Sequence, residues 1–504
     1  MKMRKTWAGV AAIVAGALVA ALGAPLPALA EGITVNTADE LQQYINDEKY
    51  DTVTLGADIT ASINVSHARA VTLDLNGHTL TNVAGKHTIN NDGNLTITGE
   101  GTVDNVSHAR AALYNGTGNV TINGGTFTRS AEAGVAGSNG GNSWYVINNE
   151  SGTLTMNDGD VKGTSGYSSA LRNAGTMNFN GGTIEQPVMI GLKNEGTLVM
   201  EGGKVISENG LQNWGTATID NGEIDGILTD FSYDDTTPGK LEMNGGSVSG
   251  DVIVVKYTGA TSTPSVSVNG GSVGGAITAT TGASANPENN APSDEVANNV
   301  EVSRGVFSDS SVAKFVKDGS AAFYAEGKFN VSDQDEVDSV ATNVIEVNGA
   351  KIYFVNDDDA KTFAKENNVS EDDIERLVYN VSFETNGHGD VKAVKVKAGN
   401  AVGTLPAVPE VDGYTAAGWY NGDTKVDETF VPTADVTLVA KWTKNAAPKP
   451  ADEGTKPAGD KKADAPKKAL PQTGDTNNMV VPAVIAIAGV AIVVVAVALR
   501  HRKN

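Results

Sequence analysis

The chain has 504 residues, 37 basic and 60 acidic, and a net charge of −23. So acidic a surface repels phosphates, and nucleic acid is not an expected partner. The absence of cysteine excludes disulfides, zinc–thiolate centres and cysteine nucleophiles, leaving stability to packing and hydrogen bonds.

Residues 1–30 read as a signal peptide. Lys2, Arg4 and Lys5 precede an apolar stretch from Ala8 to Leu22, Pro25 and Pro27 break it, and Ala28 and Ala30 place small residues at −3 and −1 of a cleavage site. The apolar core is shorter than the ~20 residues that cross a bilayer.

Residues 31–327 are a repeat. Ile33-Thr34-Val35 opens as a strand, and Thr37 and Glu40 form a capping box ahead of a helix whose apolar face is Leu41, Tyr44 and Ile45. Strands resume at Val53–Leu55 and Val71–Leu75. A glycine phrase then returns nine times, as in Asn123-Gly124-Gly125-Thr126-Phe127, Asn180-Gly181-Gly182-Thr183-Ile184 and Asn244-Gly245-Gly246-Ser247-Val248, mostly at intervals of 19–25 residues. Each phrase follows a short alternating strand such as Leu95-Thr96-Ile97 or Leu198-Val199-Met200. A further strand such as Gly191-Leu192-Lys193-Asn194 precedes the turn before it. Glycine and asparagine at the corners suit positive φ. Three short strands per coil of about 20 residues predict an all-β protein built on a parallel β-helix, each strand pairing with its equivalent one coil away. The short helix closes the open end of the stack. Residues Thr280–Asn299 read as a loop inserted in the last coils.

Residues 328–380 read as a small α+β segment. Strands are expected at Val344–Val347 and Lys351–Val355, and helices at Ala360–Glu366 and Ser370–Tyr379. Residues 381–444 form a module that opens on Val381-Ser382-Phe383, passes Leu405-Pro406, Val408-Pro409 and Gly418-Trp419-Tyr420, and ends on Leu438–Trp442. Residues 445–469, rich in Pro, Lys, Asp and Ala, read as an extended disordered linker. Residues 470–504 contain Leu470-Pro471-Gln472-Thr473-Gly474, an apolar span at 479–499 long enough to cross a bilayer, and a basic tail of Arg500, His501, Arg502 and Lys503.

Three resemblances follow. The C-terminal order resembles the sorting signal of sortase-anchored surface proteins of Gram-positive bacteria. It implies that a sortase cuts between Thr473 and Gly474 and joins Thr473 covalently to peptidoglycan, with the membrane used only in passing. Gly32–Gly327 resembles pectate-lyase-like right-handed β-helix surface proteins, a likeness that speaks to fold and little to activity. Residues 381–444 resemble the β-grasp-like repeats of Listeria internalins and Bacteroides surface proteins, which act mainly as stalk modules.

Three functions stay open on these grounds. A displayed adhesin would touch a host glycan, mucin, matrix protein or another cell. A wall-attached polysaccharide lyase or hydrolase would need calcium-binding aspartates or paired carboxylates, and the best acidic cluster is Asp220, Glu223, Asp225 and Asp230, with Asp234 and Asp235 beyond it. A purely architectural wall component would need no ligand. No cofactor, metal or catalytic constellation is expected. The repeated Ser66-His67-Ala68-Arg69-Ala70 and Ser107-His108-Ala109-Arg110-Ala111 stand 41 residues apart. His67, Arg69, His108 and Arg110 are therefore a candidate ligand patch, against the plainer reading of duplicated coils. Trp419, Trp442 and Tyr414 are expected to pack the core of their module rather than to stack on sugars.

Overall fold

The computed structural model describes residues 31–130, 145–163, 169–187, 189–232, 238–283 and 289–446. The signal peptide, the linker, the sorting motif with Thr473 and the apolar span 479–499 lie outside them, as do Asp234 and Asp235. Among the described residues no helix is long and apolar enough to cross a membrane.

Residues 31–307 form a parallel β-helix with three strands per coil. The first ladder runs from Glu31–Val35 through Tyr50–Leu55 to Val300–Val302, every step parallel. The second begins at Ile59–Thr60 and ends at Gly305–Phe307. The third begins at Ile63–Val65 and ends at Ile277–Gly282. Alternation decides which side chain enters the core. In the first ladder Leu73, Ile97, Ile122, Met156, Phe179 and Met200 stack in register and are fully buried, while Thr72, Thr96, Thr121 and Thr155 form an outward column.

Glycine serves the corners in two ways. In the Gly-Gly phrase the second glycine takes positive φ, +76° at Gly203 and +88° at Gly182, as expected. The glycine two or three residues after the last Asn of each third-ladder strand, at Gly152, Gly175, Gly196 and Gly215, does not lie in that region. A Cβ there would collide with the carbonyl of the corresponding glycine one coil earlier. Close approach of stacked backbones, not φ, selects glycine at that column.

Each end of the stack is capped over part of its edge. Helix Ala38–Tyr44 starts with the predicted capping box, Thr37 accepting from the Glu40 N–H and the Glu40 carboxylate accepting from the Thr37 N–H. Leu41 and Ile45 join the helix core. At the other end the hairpin Ser320–Ala325/Lys328–Asp333 lays its second strand antiparallel on Gly305–Phe307. This hairpin runs across the expected 327/328 division, Glu326 and Gly327 forming its turn. A second hairpin, Asn343–Val347/Ala350–Phe354, pairs with the first. Helix Asp357–Glu366 packs Ala360, Phe363 and Ala364 into the same core. This small α+β segment therefore covers the end of the second ladder, an edge that would otherwise be open to pairing.

Two local expectations change. Ser370–Tyr379 is not a helix. Ser370 does cap a single 3₁₀ turn at Glu371–Asp373, but Glu375–Arg376 and Val378–Glu384 are strands. Pairing of Glu375 and Arg376 with Asn343–Val344, and of Val378–Val381 with Val394–Lys397, overrides a weak helical propensity. Thr280–Asn299 is partly regular. The third-ladder strand extends to Gly282, Ala291–Pro292 returns antiparallel to Thr280 and Thr281, and Ser293 caps a short helix, Asp294–Ala297.

Residues 378–444 form a five-stranded sheet in the order 394–397, 378–384, 436–444, 414–421, 424–426, with 378–384 and 436–444 parallel. Val381, Phe383, Trp419, Leu438 and Ala440 fill its core. The Trp419 indole N–H donates to the Pro406 carbonyl at 2.7 Å and that of Trp442 to the Pro409 carbonyl at 2.9 Å. The two tryptophans are structural, as expected, and pin the proline segment over the sheet. Tyr414 departs from the expectation, being 43 % exposed.

Candidate functional site

The two Ser-His-Ala-Arg-Ala copies occupy different corners. Residues 66–70 turn from the third ladder into the first, between Ile63–Val65 and Ala70–Asp74, whereas 107–111 turn from the second ladder into the third, between Thr102–Asp104 and Leu113–Asn115. His67 and Arg69 are thus not stacked on His108 and Arg110. Arg69 is buried, and its guanidinium donates to the carbonyls of Ile45 at 3.0 Å, Ala70 at 2.8 Å and Tyr50. It ties the end of the cap helix to the first coil. Arg110 donates to Gly85 and Ala109 carbonyls.

The acidic cluster also disperses. Glu223 and Asp225 point outward from the second ladder and flank the Lys204 ammonium at 2.7 and 3.8 Å. Asp220 stands at the preceding corner, where it accepts from the Asn244 amide. Asp230 faces the core of the third ladder and is fully buried. No group of three or more metal-ligating side chains occurs among the described residues.

The third ladder carries what the sequence reading missed. Its outward column places Tyr114, Asn148, Arg172, Lys193 and Gln212 in register on successive coils, about 4.7–4.9 Å apart. Arg172 bridges Glu150 at 2.7 Å and Glu195 at 2.6 Å, and Lys193 meets Glu195 at 2.6 Å. The Arg172 guanidinium lies 5.9 Å from the Tyr145 ring centre, and the Lys193 ammonium 4.8 Å from that of Trp214. Trp214 packs on Phe231 at 5.0 Å and approaches Tyr257 at 6.4 Å. At the other end His87 stacks on Tyr114 at 4.9 Å.

The electrostatics of this face follow from partial burial. Burial opposes charge on Glu195, but Lys193 and Arg172 outweigh it and hold the carboxyl below its usual range. Burial likewise opposes the Arg172 charge, and Glu195 and Glu150 outweigh it. Burial pushes the Tyr145 phenol up. Burial, then the Arg110 charge, push His87 down to about 4. Its neutral imidazole accepts the Ala111 N–H at Nδ1, 2.9 Å away. The face is a band of half-buried rings and fixed charges, with Asn148 and Gln212 buried among them. Its signal in the sequence was the residue between Leu and Asn in each Leu-x-Asn strand, read down the repeats.

Residues 379–441 match the Listeria-Bacteroides repeat domain family. Two curated relatives from Evansella cellulosilytica share short segments. One, provisionally named a membrane protein, is 38 % identical over 69 residues, 13 % of this chain and 10 % of its own. The other, provisionally named a Gly-rich membrane protein, is 37 % identical over 68 residues, 13 % of this chain and 8 % of its own. The chain thus spans a tenth or less of the relatives' length. No solved structure matches.

Proposed function

We propose that this protein is displayed on the surface of a Gram-positive cell wall, linked to peptidoglycan through Thr473 by a sortase, and that its β-helix makes contact with a hydroxyl-rich polymer such as a host glycan or mucin. The observation that carries the contact reading is the third-ladder band. Tyr114, Tyr145, Trp214 and Tyr257 combine ring surface with a polar tip, and Arg172 and Lys193 stand among them at one coil per residue. The corresponding column of the first ladder, by comparison, is half threonine and carries Asn178, Val199, Glu242, Ser267 and Glu301 but no aromatic ring from Thr72 to Glu301. Display is supported by the order of segments, with a signal-like start, the β-helix, one Listeria-Bacteroides repeat and Leu470–Gly474 ahead of an apolar span. The provisional membrane-protein names of the two relatives agree with a place at the envelope.

Two experiments test the two halves. Thr473→Ala is expected to leave the protein in the membrane or medium, and its continued release from wall digests joined to peptidoglycan fragments would refute the anchor. Adherence of cells to mucin-coated and glycan-coated surfaces is expected to fall when Tyr114, Arg172 and Trp214 are replaced by Ser. Unchanged adherence with normal surface display would remove the third face from the reading.

A further inference from the structure

The three ladders do not end together. The first and second continue to Val300–Val302 and Gly305–Phe307, but the third stops at Ile277–Gly282. Ala291–Pro292 covers only Thr280 and Thr281 of that last strand. The backbone N–H of Ile277 is met by the Ser311 hydroxyl at 2.9 Å instead of by another coil. The rest of this edge opens on a cavity of about 410 Å³. Its apolar wall is Ile277, Ala279, Pro292, Phe315, Val347 and Ile352. The Thr278 hydroxyl, also in the wall, is buried with no hydrogen-bond partner among the described residues.

A second cavity of about 410 Å³ adjoins the first and shares Ala313, Lys314, Asn348 and Ala350 with it. Its character is opposite. Lys314, Lys317 and Lys351 line it, with Asp318 as the one carboxylate in the wall. Lys317 is paired with Glu301 at 2.8 Å, and Lys314 reaches the exposed Asp294 only at 3.8 Å. Lys351 makes no ion pair among the described residues. Three ammonium groups beside an apolar chamber stand out on a chain of net charge −23.

We propose that the first cavity binds a small amphipathic organic acid at the wall it shares with the second, its apolar body against Ile277, Phe315 and Ile352 and its carboxylate toward Lys314 and Lys351. The volume lies within the range of small-molecule sites, which combine an apolar wall with a few polar groups. Lys314 in the shared wall and Lys351 beyond it set the direction of the ligand. The residues lining the site are distinct from those of the third-face band.

Isothermal titration of the full chain with decanoate, and with decanol as the neutral counterpart, tests this. Decanoate is expected to bind at one site at least about tenfold more tightly than decanol. Lys314→Glu with Lys351→Glu is expected to bring decanoate to the level of decanol without moving the thermal midpoint. Ala313→Trp, which fills the shared wall, is expected to abolish both; Ala350→Phe replaces it should the first variant unfold. Absence of saturable binding, equal affinity for the two compounds, or binding unaffected by the lysine and filling variants would overturn the proposal. So would a concentration-dependent dimer lost in Ala313→Trp, which would mean that a second copy occupies the edge.

Discussion

The side-chain amide of Asn213 donates to Asp230 Oδ1 at 2.6 Å in the interior of the β-helix. This contact ends a column. Asn91 donates to Asn115, Asn115 to Asn149, Asn149 to Asn173, Asn173 to Asn194 and Asn194 to Asn213, at 2.7 to 2.8 Å throughout. Each is at most 1 % exposed. Each amide from Asn91 to Asn213 also donates to nearby backbone carbonyls, Asn213 to those of Gly215 and Lys240. Asp230 breaks the pattern. Its Oδ1 accepts as an asparagine oxygen would, but Oδ2 is buried with no partner among the described residues. The register puts the carbonyls of Gly239 and Ser265 where Gly215 and Lys240 serve Asn213. A carboxylate oxygen there would face carbonyl oxygens, whereas a protonated one can donate.

Burial accordingly pushes the Asp230 carboxyl well above its ordinary range, the Asn213 hydrogen bond opposing it only in part. The folded chain keeps a proton that the unfolded chain loses above about pH 3.9. The unfolded state then binds fewer protons, so stability falls as pH rises from that value toward the folded pKa, and levels off beyond it. Asp230→Asn restores a donor and removes this loss. It is expected to raise stability at pH 7 by about 1–3 kcal/mol, with the gain shrinking toward pH 4. Denaturant midpoints across that range check it, and a variant weaker than the parent at pH 7 would contradict a neutral acid at the end of the column.

Interior column members should be costly to lose. Asn173→Ala leaves the Asn194 Oδ1 without its donor and opens a void among fully buried neighbours. About 2–3 kcal/mol is expected for the cavity and the unmet group together. Asn178 lies outward on the neighbouring ladder with one long hydrogen bond of 3.4 Å to Thr155. Asn178→Ala is expected to stay within about 0.5 kcal/mol. Equal effects in urea unfolding would mean that the column has no special energetic role.

Why was the stack legible in the sequence and the column not? Leu95, Ile97, Leu198 and Met200 alternate with polar residues, and alternation specifies a face. The capping box at Thr37 and Glu40 has a local signature, and so has the Gly-Gly phrase. Asn173 and Asn194 instead occupy inward positions with polar side chains, which alternation alone assigns to turns. Their burial depends on a partner one coil away, a contact that no local window contains. The same holds for Arg172, whose partners Glu150 and Glu195 lie 22 and 23 residues off. The histidine–arginine repeats failed for a complementary reason. Insertions shift the phase of the coils, so identical pentapeptides at Ser66 and Ser107 fall on different corners.

The stacked glycine column makes a separate prediction. Gly196→Ala puts a methyl group into the carbonyls of Gly175 and Ala174, which belong to backbone that has no room to yield. A loss of about 1–3 kcal/mol is expected from overpacking, although φ at that residue is ordinary. Gly32→Ala, whose new methyl group would meet nothing closer than 3.9 Å, serves as the control and is expected to melt within a degree or two of the parent. A harmless Gly196→Ala would show that the coils can separate locally.

The third face predicts a pH dependence of opposite sign to that of Asp230. Glu195 has its carboxyl held below the usual range by Lys193 and Arg172 against the cost of burial. Its contribution is therefore present above the unfolded value of about 4.3 and is lost as pH falls through the folded one. Glu195→Gln is expected to cost about 1 kcal/mol at pH 7, between an exposed pair and a fully buried one, and progressively less as pH falls below the unfolded value. The Glu195 side chain is 26 % exposed and that of Arg172 16 %, so added salt is expected to reduce the difference only in part. Combining Glu195→Gln with Asp230→Asn separates the two slopes, because the first flattens the acid limb and the second the neutral limb. If Glu195→Gln were neutral at pH 7, the Glu150–Arg172–Glu195 bridge would be a surface ornament, and the fixed charges of the third face would lose their basis.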